Sequence, residues 1–154
     1  MNPKFKTGFT MVELLIVIGI MVIVVSAGAS LYSSLQTSTE INELAAQIVQ
    51  NVRLAQGQSQ SGLNNNEHGV QFEPHRYILY QGASYALRDV AYDRIFDVGE
   101  ALTLSTTIVD NDVHFLTGLG LPVNPGSIGT ITIVHAVNGS RFISVNSLGV
   151  VVEE

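Results

Sequence analysis

The chain has no cysteine, so disulfides and thiolate metal sites are excluded, and nothing follows about redox compartment. It has no tryptophan, and aromatics make up 7% of residues, so no platform for stacking bases or sugars stands out. Lysine is nearly absent. Lys4 and Lys6 are the only two, and both precede an apolar run. Beyond Thr7, five arginines face 13 carboxylates, within a net charge of -6. Nucleic-acid surfaces need clustered basic residues that release counterions. No nucleic-acid partner is therefore expected. The length, 154 residues, suits about one domain.

Familiar catalytic signatures are also missing. There is no G-x-S-x-G elbow and no Walker A loop. His68, His75, His114 and His135 are not spaced as zinc ligands. His135 sits in a strand pattern and reads as structural. Two acidic groups invite a calcium reading: Asp89, Asp93, Asp97 and Glu100, and the tighter Asp110-Asn111-Asp112. Calcium takes six to eight oxygens, and neither group follows an EF-hand loop. Arg88 and Arg94 interleave the first group, and the second suits a turn. No metal ligand, catalytic residue or cofactor is assigned, and no enzyme is expected.

What the chain does have is a long hydrophobic start. Met1–Thr7 is short, polar and basic. From Leu14 to Val25 every residue is apolar or glycine, and the run extends to Tyr32 if Ser26 and Ser30 are tolerated. At about 1.5 Å per residue, such a helix crosses a hydrocarbon core of roughly 30 Å. The two lysines predict a single pass of the inner membrane, with the C-terminal domain outside. Three readings fit. One is a secretory signal cleaved after Ala29, at the A-x-A pattern Ala27-Gly28-Ala29. The second is an uncleaved anchor. The third must account for Glu13, whose carboxylate is costly in lipid.

Gly8-Phe9-Thr10-Met11-Val12-Glu13, followed by Leu14-Leu15-Ile16-Val17-Ile18, resembles the processing site of type IV pilins and type II secretion pseudopilins. The resemblance implies a leader, residues 1–8, removed after Gly8 by a prepilin peptidase. Phe9 then becomes a methylated N-terminus and Glu13 the fifth mature residue. It also implies that Glu13 pairs with the Phe9 amino group of a neighbouring subunit during filament assembly. Partners would be the peptidase, other pilin or pseudopilin subunits and the membrane. A periplasmic or extracellular filament would be the destination. The alternative function is a secreted or membrane-anchored binding domain with the ordinary signal.

Downstream, Ile41, Leu44, Ala45, Ile48, Val52 and Ala55 recur at steps of three and four, one amphipathic helical stripe. The helix should end near 59–62, before Asn64-Asn65-Asn66. Ser33–Thr39 is a weak point. Strands are expected at 69–72, 76–80, 101–109, 112–117, 130–137 and 141–146, then at the C-terminal VVVEE. Residues 81–100 read as loosely structured and Gly118–Gly129 as a loop. Asn138-Gly139 is the strongest hairpin signal. The expected segments are 9–32 as a membrane and filament-core helix, 33–62 as its amphipathic continuation and 63–154 as an antiparallel sheet of five to seven strands. This is an α+β, pilin-like fold. The strand pair after the helix, the loop after Phe115-Leu116-Thr117-Gly118 and the closing RFISVNSLGVV, with Gly149 in its last turn, resemble GspH/FimT-type members. Some of those bind DNA through basic residues. That activity is not carried over to this acidic domain.

Overall fold

A computed structural model describes residues 8–123, 128–137 and 139–153, with the side chains of 27–34 outside that description. The chain divides into two compact units between Gln36 and Thr37. One α-helix, α1, is assigned from Met11–Gln60. It continues through Ser33–Thr39, and the boundary between units falls inside that Ser/Thr-rich stretch.

In the second unit α1 buries the predicted stripe. Ile41, Leu44, Ala45, Ile48, Val52 and Ala55 all enter the core, with Val49 beside them. Removing that apolar surface from water is the main drive holding the helix on the strands. Its flank adds polar ties. Asn51 Nδ2 donates to the Tyr77 hydroxyl at 2.9 Å, Arg53 to the Val151 carbonyl at 3.1 Å and Gln56 to the Gly120 carbonyl at 2.9 Å. The helix stops where expected. Gly62 takes φ +64°, and Asn64 and Asn65 also lie at positive φ. Buried Ser59 then ties the helix end to the first strand, accepting from the His68 amide at 2.8 Å.

Eight strands follow among the described residues: β1 His68–Glu73, β2 Arg76–Gln81, β3 Arg94–Asp97, β4 Leu102–Thr106, β5 Asp112–Phe115, β6 Gly129–His135, β7 Ser140–Val145 and β8 Val151–Glu153. The pairings are antiparallel, as expected, but they build two sheets rather than one. The orders are β3-β2-β1-β5 and β4-β6-β7-β8. The chain leaves the first sheet after β3, starts the second with β4, and returns as β5 to pair with β1. Alternation along a strand records which face is buried, not which strand lies alongside, so this exchange has no local signature.

β3 is also a correction to the loose reading of residues 81–100. It is four residues long and mostly exposed, too short to show clear alternation. Phe96 anchors it by stacking on Tyr77, with ring centroids 4.8 Å apart. The hairpin of β6 and β7 is present, with Val134 paired to Ser140 as its last rung. Residues 136–139 lie between the two strands, a longer connection than a two-residue Asn-Gly turn. Asn138 lies outside the described residues. In the closing turn, Asn146 Oδ1 accepts from the amides of Leu148 and Val150, each at 2.9 Å. Gly149 has φ +73°, and a Cβ there would come within 2.5 Å of Gln56, so glycine is required.

Candidate functional site

The expected processing and assembly residues lie together at the start of α1. Met11 is the first helical residue, so Thr10 is the N-cap and Glu13 the third position in. The Thr10 hydroxyl accepts from the Glu13 amide at 3.2 Å. The Glu13 carboxylate reaches back to the Thr10 amide at 3.4 Å. The Thr10 carbonyl accepts the first helical bond, from Leu14, at 3.2 Å. This is a reciprocal capping box, T-x-x-E. It satisfies two amide donors that a helix start leaves open. It also sets the carboxylate at the positive end of the helix dipole, worth about 0.3–1 kcal/mol where exposed. The box is not among the expectations from sequence, although the spacing Thr10 to Glu13 before an apolar run is its usual signal.

Beyond the cap, the helix is apolar on every side. Phe9, Met11, Val12 and the large hydrophobic residues from Leu14 to Val25 are all exposed. No face of this segment is covered among the described residues. A helix apolar all round is stable only when lipid or protein surrounds it. Among the described residues, no helix is long and apolar enough to cross a membrane. The described side chains of this run end at Ser26 and leave out 27–34. The rival cleavage pattern Ala27-Gly28-Ala29 lies within α1, and its side chains are outside the description.

The second unit puts its ionisable groups to structural use. Asp93 accepts from Arg88 at 2.8 Å, and Asp89 caps the short turn Val90–Tyr92. Asp112 accepts from the Tyr80 hydroxyl at 2.8 Å. Among the described residues, no group of three or more His, Asp or Glu could hold a metal. The histidines are dispersed. His75 Nδ1 lies 3.2 Å from the Leu102 carbonyl, and His135 Nε2 lies 3.5 Å from Glu40. His114 sits between Asp112 at 3.3 Å and Glu67 at 3.8 Å. Burial lowers the pKa of His68, against weaker opposing hydrogen bonds, and pushes the Tyr80 phenol well up, with Asp112 adding to the rise.

Comparison with known proteins bears on both units. Residues 3–29 match the prokaryotic N-terminal methylation motif. The fold matches the type IV minor pilin FimU of Pseudomonas aeruginosa in two crystal forms. The first gives a TM-score of 0.59 at 19% identity, over 77% of this chain and 90% of that one. The second gives 0.53 at 21% identity, over 76% and 91%. The chain has a pilin-like fold. The α+β pilin-like fold expected from sequence is the one it has. No curated protein matches the pilin-like chain in sequence.

Proposed function

We propose that the pilin-like chain is a structural subunit, a minor pilin or pseudopilin, of a type IV pilus or type II secretion filament. Residues 1–8 are the leader, removed by prepilin peptidase between Gly8 and Phe9. Residues 9–32 form the membrane-inserted and later filament-core helix, 33–62 its amphipathic continuation and 63–154 the outward-facing domain. The chain enters the inner membrane with that domain outside, then moves into a periplasmic or extracellular filament. It is not an enzyme; its work is mechanical.

One observation carries this reading: a fully exposed apolar helix whose cap contains the single carboxylate of the segment. In lipid, the capping box gives Glu13 a local partner and so reduces its desolvation cost. On assembly, the freed amino group of a neighbour's Phe9 offers a stronger, charge-assisted one. Such a buried pair adds little net stability but fixes axial register. The apolar helices pack on one another in place of lipid, and side-chain dispersion drives that exchange. Removing one partner of a buried ion pair costs about 3–5 kcal/mol. Glu13→Val should therefore leave the chain in the membrane and lower its incorporation into filaments at least about tenfold. The check is the ratio of subunit in sheared filaments to subunit in membranes. Incorporation at the wild-type level contradicts the pairing.

A further inference from the structure

The sheet β4-β6-β7-β8 turns Ile131, Ile133, Ile143, Val145 and Val151 into the core. Side chains alternate along a strand, so the residues between them point the other way. On that outer face Ser105, Thr132 and Phe142 form one row across β4, β6 and β7. Thr103, Val134 and Ser140 form the next, and Ser144 pairs with Val152 in a third. Val134, Phe142 and Val152 are 43%, 44% and 47% exposed, so solvent reaches all three. None of these outward residues is charged, in a chain with 13 carboxylates and seven lysines and arginines. Exposed strands ordinarily carry charges that keep them soluble and apart from other chains. The core of a protein interface, by contrast, is depleted of charge and enriched in aromatic residues.

The layout of the face indicates its partner. From β6 to β7 to β8 the apolar position moves two residues along at each strand. Val134, Phe142 and Val152 therefore make one diagonal line with Phe142 at its middle. Thr132 and Ser144 flank it on one side and Ser140 on the other. A two-fold axis through Phe142 and along this line lays it on its own copy. Apolar residues then meet apolar residues, and Thr132 of one copy faces Ser140 of the other. Hydroxyls both donate and accept, so such a surface can serve as its own partner. A two-fold contact of this kind uses the same patch on both copies. Charge selects the same arrangement. The exposed carboxylates Glu43, Asp89, Asp97 and Glu100 lie on other elements, where two copies would set acid against acid. A strongly charged partner would give up hydration on this face and gain no opposite charge.

We propose that this face docks on the same face of a second copy of the chain, the two sheets stacked about a two-fold axis through Phe142. The face belongs to the strand domain alone and does not depend on the filament reading. The chain has no cysteine, so one introduced by substitution reports by itself. The test uses the purified full chain in a zwitterionic detergent. A thiol crosslinker spans roughly 10 Å, the usual spacing of stacked sheets. Ser144→Cys should give at least about tenfold more crosslinked dimer than Glu43→Cys, an exposed position on α1. Adding Phe142→Asp or Phe142→Lys to Ser144→Cys should each lower the yield about tenfold. Mixing the Asp chain with the Lys chain should restore it, because opposite charges then meet at the axis. That recovery also requires both variants to be folded. Equal yields from Ser144→Cys and Glu43→Cys overturn the proposal. So does a yield indifferent to Phe142→Asp. A mixture of two chains with wild-type Tm that crosslinks no better than either alone overturns it as well, and assigns the face to a different molecule.

Discussion

Gly69 pairs with Tyr80 on one side and His114 on the other, in the middle of the first sheet. A Cβ at Gly69 would fall 2.5 Å from the His114 Cβ and 2.6 Å from the Tyr80 hydroxyl. The missing side chain thus leaves the space in which the phenol reaches Asp112 across the sheet. Gly69→Ala should destabilise the domain by about 1–3 kcal/mol, the cost of overpacking. Urea unfolding measures it, and an unchanged midpoint would refute the crowding. His68 gives a pH signature. Its folded pKa lies below the ordinary 6.5 because burial penalises the charged ring. On acidification below about 6.5 the unfolded chain takes up the proton first, so the stability contribution of neutral His68 is lost as pH falls. The Tm of the wild type should drop more steeply below that pH than the Tm of His68→Gln. Parallel curves would contradict it. At this scale the sequence showed only part. Phe9 and Glu13 announce themselves by local spacing. Glu67, Tyr80, Asp112 and His114 do not, because strand pairing joins positions far apart in the chain.

At the scale of elements, helical period was the most legible signal. The stripe from Ile41 to Ala55 is buried residue by residue, and the helix stops at Gln60 before the glycine and asparagines that cannot continue it. Ile48 is fully buried, whereas Leu54 on the same helix is 39% exposed. Ile48→Ala should cost about 2–5 kcal/mol. Leu54→Ala should cost about 0.5 kcal/mol or less. Comparable losses, measured by denaturant unfolding, would mean that the helix presents a different face. Strands were less legible. Seven of the eight fall within segments that alternate or carry β-branched runs. β3 escaped because four half-solvated residues carry too little pattern. The division into two sheets escaped for another reason. It depends on where β4 and β5 find partners, and pairing is a long-range choice that alternation leaves open.

At the scale of the whole molecule, the chain joins two segments with opposite needs. The strand domain encloses its own core. The start of α1, up to Val25, buries none of its described large side chains and depends on lipid or protein around it. On the proposed function, the capping box holds Glu13 on its own helix until a neighbour's amino group replaces the Thr10 amide. That account requires Phe9 to be an N-terminus, since an amide at that position cannot supply the charge. The most direct measurement is mass spectrometry of the mature N-terminus, on chain expressed in its host. The account predicts a chain beginning at Phe9 with one added methyl. A chain beginning at Ser30 would contradict it, because an ordinary signal peptidase would then have removed Glu13 along with the first part of the helix it caps.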